Sequence, residues 1–466
     1  MLFNSYIFVL FFLPIVLIVW WLLAHWPQWR LGFLVASSYL FYGWWHWEFT
    51  LLLLASTLVD YWVGQGIHAT SLRSRKAAWL AVSLVSNLGM LAYFKYCGFL
   101  AQSMNGLLAA LRFGEPLPVL DIMLPIGISF YTFQTLTYSI DLYRGEIKPA
   151  KTFLHFAAYV SMFPQLIAGP IVRYSDVEDQ MRELDPFPQW DAITQGIWFF
   201  AVGMAQKILV ADTVAHSVGP LLAEPASLQF VSAWVALLAY TVQLYFDFAG
   251  YSNMAIGLGL MLGFSFPQNF DSPYQATNIQ NFWRRWHMSL SSFLRDYLYI
   301  PLGGNRFGKL ISYRNLLLVM LLGGVWHGAG WTFILWGLFH GGLLVANGVY
   351  RDHINFRVPP YLGSAATFLC VMLGWLLFRS TDLAMAKDWF LAIVGGKGIE
   401  SDWGRTAVLS VGFATTLAAL VFCWSAPNTW NYRPRFSLLT AVALSLLFVV
   451  CVLRFDSESP FLYFQF

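Results

Sequence analysis

The sequence predicts an all-α, polytopic integral membrane protein, and three observations carry that prediction. Charged residues make up only 11% of the 466-residue chain, less than half the roughly 25% usual in soluble domains. Mean hydropathy is +0.59. Apolar runs recur from end to end, each near the about 17–25 residues that cross roughly 30 Å of hydrocarbon as a helix. These runs are too long for barrel strands and show no period-2 alternation, so a helical bundle is expected. Aromatic residues reach 18%, with 22 Trp, in part the interfacial belts of a membrane protein. A net charge of +3 makes no case for nucleic acid. Cys97, Cys370, Cys423 and Cys451 lie scattered in apolar sequence without CxxC spacing, and read as small buried hydrophobes.

Window length predicts about eleven to thirteen membrane segments, at 5–24, 31–46, 49–67, 77–96, 120–142, 152–171, 193–212, 230–262, 313–333, 333–350, 361–379, 405–425 and 436–454. The first lacks a basic n-region and a small-residue cleavage site, so it is expected to be a retained span. The 230–262 stretch is long enough to be tilted or broken, and Gly250, Gly257, Gly259 and Gly263 favour a break or close helix contact. Arg30, then Arg73, Arg75 and Lys76, then Arg144, Lys148 and Lys151 fall in alternate early loops. The positive-inside rule makes those loops cytoplasmic and the N-terminus external. The longest polar connections are 172–192 and 395–404. With no soluble domain or clear repeat, the whole of 1–466 reads as one transmembrane domain: N-terminal helices over 1–115, a core over 120–350 and C-terminal helices over 351–466.

The stretch 265–315 differs in kind, being too polar to span lipid and too aromatic to be a disordered loop. A re-entrant or interfacial helix with a flanking turn is expected there, covered by protein or lining a wet cavity. It carries His287 within Trp283-Arg284-Arg285-Trp286-His287-Met288-Ser289-Leu290-Ser291. On one continuous helix Trp283, His287 and Ser291 stack on a face, with Arg284 and Arg295 nearby. That suits a histidine at a cavity wall with arginines for a phosphate-bearing donor; the alternative is an interfacial helix whose arginines snorkel to headgroups.

His327 lies in Trp326-His327-Gly328-Ala329-Gly330-Trp331, inside one of the most apolar stretches. Titratable side chains are costly at membrane depth and mark function by default, and imidazole titrates closest to neutral pH. The plainer role is a hydrogen-bonded packing residue. His340, in Trp336-Gly337-Leu338-Phe339-His340-Gly341, falls on roughly the opposite face from His327 if one helix holds both, and is expected to be structural. Asp60, Asp141, Lys207 and Asp247 lie in or near apolar spans and are either functional or paired within the bundle. No histidine pair has metal-ligand spacing, so no metal is expected. GxSxG, a P-loop and GxGxxG before a helix are absent. If the chain is a transferase, a histidine general base acting on an acceptor hydroxyl is therefore a simpler mechanism than a covalent serine.

Several blocks, taken in order, resemble the membrane-bound O-acyltransferase family, and within it the bacterial alginate and peptidoglycan O-acetyltransferase membrane subunits. They are Leu124-Pro125-Ile126-Gly127-Ile128-Ser129-Phe130-Tyr131, Phe163-Pro164-Gln165-Leu166-Ile167-Ala168-Gly169-Pro170, Tyr245-Phe246-Asp247-Phe248-Ala249-Gly250-Tyr251-Ser252, Asn281-Phe282-Trp283-Arg284-Arg285-Trp286-His287, Tyr299-Ile300-Pro301-Leu302-Gly303-Gly304-Asn305, Gly324-Val325-Trp326-His327-Gly328 and the Phe461-Leu462-Tyr463-Phe464 tail. The resemblance implies helices ringed around a central funnel or tunnel, and a multi-pass protein of the bacterial inner membrane. It implies His327 as the active-site histidine and His287 as the second motif histidine. Arg284, Arg285, Asn281, Trp326 and Ser291 are then the candidate substrate-binding residues. The implied donor is acetyl-CoA or a related acetyl carrier on the cytoplasmic side, with no bound cofactor. The implied partner is a separate periplasmic acetyltransferase that completes delivery to a polysaccharide such as alginate. Transfer of D-alanine from a carrier protein toward teichoic acid is an alternative within the family. A transporter or flippase with the histidines in proton relay, and a scaffold for an envelope-synthesis complex, are alternatives outside it.

Overall fold

Six helices are long and apolar enough to cross a membrane among the described residues: Arg73–Leu111, Trp190–His216, Phe230–Leu262, Lys309–His327, Trp331–His353 and Pro360–Arg379. Shorter apolar helices cover Phe8–Leu22, Phe413–Ser425 and Leu438–Val452. The computed structural model describes all residues except 355, 401–409, 433, 436, 456–460 and 463–466. Parts of the predicted span 405–425, of the connection 395–404 and of the tail motif at Tyr463 and Phe464 lie outside the described residues. The described chain is helical, with no strand. It divides into two compact units, residues 1–200 with 254–267, and residues 201–253 with 268–466.

In the first unit the predicted spans 31–46 and 49–67 appear as helices Pro27–Gly43 and Glu48–His68. Two other segments depart from a single-helix span. The predicted 120–142 helix begins only at Ile128 and runs to Arg144; Pro125 lacks a backbone donor and disfavours helical geometry at Leu124 before it. Gly127 starts it at φ +76°, where a Cβ would meet Leu166 O at 2.7 Å. The predicted 152–171 helix splits into Phe153–Ser161 and Phe163–Leu166. The break falls at Met162, just ahead of Pro164, and 156–172 is buried throughout. Irregular backbone of this kind is tolerated at membrane depth only where protein covers it.

A buried polar knot ties three helices of this unit. Asp60, on Glu48–His68, accepts from Ser83 Oγ at 2.5 Å, Asn87 Nδ2 at 2.7 Å and Ser139 Oγ at 3.2 Å. Asn87 Oδ1 in turn accepts from Ser56 at 3.2 Å and Thr135 at 3.1 Å. Of the two readings for Asp60, the one within the bundle is the one seen.

In the second unit, Lys207 sits on a widened turn, Gln206–Asp212, of the π type. Its i to i+5 geometry brings Lys207 and Asp212 to one side. Lys207 Nζ lies 2.8 Å from Asp212 Oδ1 and 2.6 Å from Asp247 Oδ1. Leu462 N–H donates to Asp247 Oδ2 at 2.8 Å. Asp247 lies on Phe230–Met261, which is a continuous helix of 32 residues and not a broken one. Its glycines serve close approach: a Cβ at Gly250 would stand 2.6 Å from Gly203 O. Lys309–His327 and Trp331–His353 form a tight pair for the same reason, since a Cβ at Gly324 would overlap Phe333 O and one at Gly337 would overlap Met320 O.

Candidate active site

Between Phe264 and Tyr299 the chain makes short elements instead of one helix. A turn at Pro273–Gln275 leads to a helix at Ile279–Trp283, whose N-cap Asn278 accepts from Asn281 N at 2.9 Å. The helix then stops, and His287 adopts φ +44° ahead of a new helix at Met288–Phe293. The expected stack of Trp283, His287 and Ser291 on one face is therefore corrected. Tertiary hydrogen bonds replace the intrahelical ones at the break. Asn269 O accepts from Met288 N at 2.9 Å, and Arg285 O accepts from Asp271 N at 2.9 Å. A non-glycine residue in the left-handed region costs about 1–3 kcal/mol and persists where its surroundings hold it.

That turn places His287 at 0% exposure. Its Nδ1 lies 3.1 Å from Asn269 Oδ1, and its Nε2 has no protein hydrogen-bond partner among the described residues. Phe248 meets the ring edge-on, with centroids 4.8 Å apart. His287 lies between two candidate spans, Phe230–Leu262 and Lys309–His327. Burial pushes its imidazole down to about 3, so the ring is neutral.

His327 is the last residue of its helix, and Gly328 and Gly330 run extended before Trp331 starts the next. The His327 ring packs at 4.9 Å on Trp326, 4.9 Å on Trp336 and 5.3 Å on Phe378. Trp326 also contacts His287, at 6.3 Å. The two predicted histidines thus share one indole as a common wall.

The helix break at Gly328–Gly330 also changes the place of His340. Opposite faces were expected for one unbroken helix; instead Trp336 packs on His340 at 4.9 Å as well as on His327. His340 is fully buried, stacked with Phe282 at 6.4 Å and edge-on to Trp283 at 5.2 Å. Neither of its ring nitrogens has a protein hydrogen-bond partner among the described residues, nor do the indole N–H groups of Trp283 and Trp336. Gly374 makes room for it, since a Cβ there would lie 2.5 Å from His340 Nε2.

The predicted substrate-binding residues separate. Trp326 is buried at the shared wall. Arg285 is engaged with Asp271, donating to its carbonyl at 3.0 Å and pairing with its carboxylate at 3.6 Å. Ser291 Oγ donates to Trp286 O at 3.2 Å. Asn281 is half-buried and Arg284 is exposed. Missed by sequence reasoning were Asn269, Ser252 and Ser289. Asn269 Nδ2 donates to Ser252 Oγ at 3.1 Å, and Ser289 Oγ donates to Asn269 Oδ1 at 2.9 Å. No motif spacing signals this group, because its members meet only through the turn. Imidazoles walled by aromatic rings can accept or relay a proton away from bulk water, where electrostatic effects are strong.

Comparison with known proteins bears on this arrangement. The model of the membrane-bound O-acyltransferase family matches residues 7–381. The chain is 40% identical to the probable alginate O-acetylase AlgI of Azotobacter vinelandii, over all of both chains. It is 39% identical to the peptidoglycan O-acetyltransferase of Helicobacter pylori, over 86% of this chain and 81% of that one. The teichoic acid D-alanyltransferase of Bacillus subtilis is 28% identical over 54% of this chain and 68% of its own.

Proposed function

Because the chain belongs to the membrane-bound O-acyltransferase family, we propose that it takes an acetyl group from a cytoplasmic thioester, acetyl-CoA, and passes it through the membrane for O-acetylation of a cell-envelope or secreted polysaccharide such as alginate. It is a multi-pass acyltransferase of the bacterial inner membrane. The observation that carries the reading is the pairing of His287 and His327 on a common Trp326 wall, within a family whose chemistry is acyl transfer to oxygen.

In this mechanism His327 takes the proton of an acceptor hydroxyl as its oxygen attacks the thioester carbonyl carbon. The C–S bond then breaks, and the departing thiolate takes that proton back from the imidazolium. His287 either stabilises the oxyanion or holds the acceptor. Arg284, exposed beside the site segment, fits contact with the phosphates of the donor. A separate extracytoplasmic acetyltransferase completes delivery to the polymer. The full-length relationship at 40% identity favours acetyl over D-alanyl transfer, for which the likeness is 28% over about half the chain.

The test is ester-linked acetyl on envelope or secreted polysaccharide in cells lacking the gene, complemented with wild type or His327→Ala at matched membrane levels. His327→Ala is expected to lose about 10²–10⁴-fold in acetyl transfer. Equal restoration by both would remove His327 as the base and favour a transporter or scaffold.

A further inference from the structure

We propose that Asn269 is a positioning residue that holds His287 as the tautomer protonated on Nδ1, leaving Nε2 as a lone pair facing the acceptor. The inference deepens the acyl-transfer reading and rests on it for the identity of the acceptor.

The two ends of an asparagine amide are assigned by their neighbours. Here a backbone group decides. Ser289 N–H can only donate, and it reaches Asn269 Oδ1 at 3.4 Å, with Ser289 Oγ donating to the same oxygen at 2.9 Å. On the other side Nδ2 donates to Ser252 Oγ at 3.1 Å. A flipped amide would set an NH2 group against a backbone N–H. The carbonyl oxygen therefore faces His287, and a carbonyl oxygen only accepts. The nitrogen 3.1 Å away, Nδ1, must carry the hydrogen. Ser289 Oγ, 3.5 Å from Nδ1, is a second acceptor on that side.

In a neutral imidazole the hydrogen on one nitrogen leaves a lone pair on the other. Nε2 of His287 is buried and has no protein partner among the described residues. The His287 ring itself packs against Phe248 and Trp326. Of the two roles open to His287, this tautomer removes the first: a neutral ring with a lone pair at Nε2 has nothing to donate to an oxyanion. It holds the acceptor through an O–H or N–H that the acceptor itself donates, and the reacting hydroxyl still loses its proton to His327. Asn269 is 1% exposed and touches only the far side of the ring, so it acts through His287.

The test uses the full chain, labelled with ¹⁵N-histidine in lipid nanodiscs, the His287 signals being those lost in His287→Phe. Wild type should show His287 protonated at Nδ1, and Asn269→Leu should shift it to a mixture or to Nε2. An Nε2-protonated wild type, or a spectrum unmoved by Asn269→Leu, would overturn the proposal. The second arm measures CoA release from acetyl-CoA by inverted membrane vesicles. Asn269→Leu should lower kcat about 10–100-fold, the size seen when an orienting hydrogen bond to a metal-bound histidine is lost, with KM changed by no more than about twofold. Asn269→Asp keeps an acceptor oxygen and should return most of that kcat. A packing role predicts the reverse order, because leucine is the apolar isostere and aspartate buries a charge. A wild type that consumes no acetyl-CoA would count against the acyl-transfer reading, while the spectrum decides the tautomer by itself.

Discussion

The Asp60 knot and the histidine cluster bury polar atoms in opposite ways. Around Asp60, both carboxylate oxygens accept, Asn87 both donates and accepts, and Ser56, Ser83, Thr135 and Ser139 all find partners. Around His287 and His340, Nε2 of one ring and both nitrogens of the other are buried without protein partners among the described residues, as are the indole N–H groups of Trp283 and Trp336. An unsatisfied buried group costs about 1–3 kcal/mol. On the acyl-transfer reading proposed above, the first cluster holds helices together and the second is the one that meets a substrate. Buried titratable groups without partners in the protein are candidates for a site.

The sharpest way to break the comparison is to unsatisfy the first cluster. Asp60→Leu removes the acceptor for Ser83, Asn87 and Ser139 together, at about 1–3 kcal/mol for each donor left without a partner. The expected outcome is a large fall in the amount of folded chain recovered from membranes and in its thermal unfolding midpoint. Asp60→Asn, which keeps one acceptor oxygen, should lose much less. Activity per folded molecule should stay near wild type in both, because the knot belongs to the scaffold. Normal recovery of Asp60→Leu would show that those donors repartner and that the knot does not hold the three helices.

The converse change satisfies the second cluster. His340→Phe replaces an imidazole without hydrogen-bond partners among the described residues by a ring of similar shape inside a cage of Phe282, Trp283, Trp336 and Trp375. Its unfolding midpoint should hold or rise, by an amount corresponding to no more than about 1–3 kcal/mol. Acetyl transfer should fall, on the order of tenfold if the ring nitrogens contact a reacting group through one hydrogen bond. A variant both stable and fully active would make His340 a packing residue, as its sequence context suggested.

What the sequence made legible follows from where local patterns decide the structure. Long apolar runs such as 230–262 and 361–379 became helices because nothing in lipid competes with intrahelical hydrogen bonds. His327 stood out because imidazoles are rare in such surroundings, and His287 because its polar, aromatic stretch differs in kind from the spans around it. The elements that differed are those settled by distant groups. The 120–142 and 152–171 segments look apolar enough to span, yet Pro125 lies ahead of a helix that starts only at Ile128, and the other breaks at Met162 ahead of Pro164, where the surrounding unit supplies the cover. The His287 turn arises from Asn269 and Asp271 capturing backbone groups of Met288 and Arg285, which no helical periodicity encodes. His340 is set on the opposite face from His327 on the condition of one unbroken helix, and Gly328–Gly330 ends one helix before another starts, so that condition is not met.

The smallest expected effect separates the two arginines beside His287. Arg284 is exposed, whereas Arg285 clasps Asp271 across the turn. If a phosphate-rich donor docks on this segment, Arg284→Ala should raise the KM for acetyl-CoA by about 3–10-fold, the size of one exposed charge-assisted contact, and flatten its dependence on salt. Arg285→Ala should leave that salt dependence intact and act through the turn, lowering kcat as His287 loses its fixed place. Reversal of the two phenotypes would mean that the Asp271 pair opens to admit the donor. An unchanged KM in both would take the donor phosphates away from this segment, leaving the arginines as interfacial anchors whose side chains reach toward headgroups.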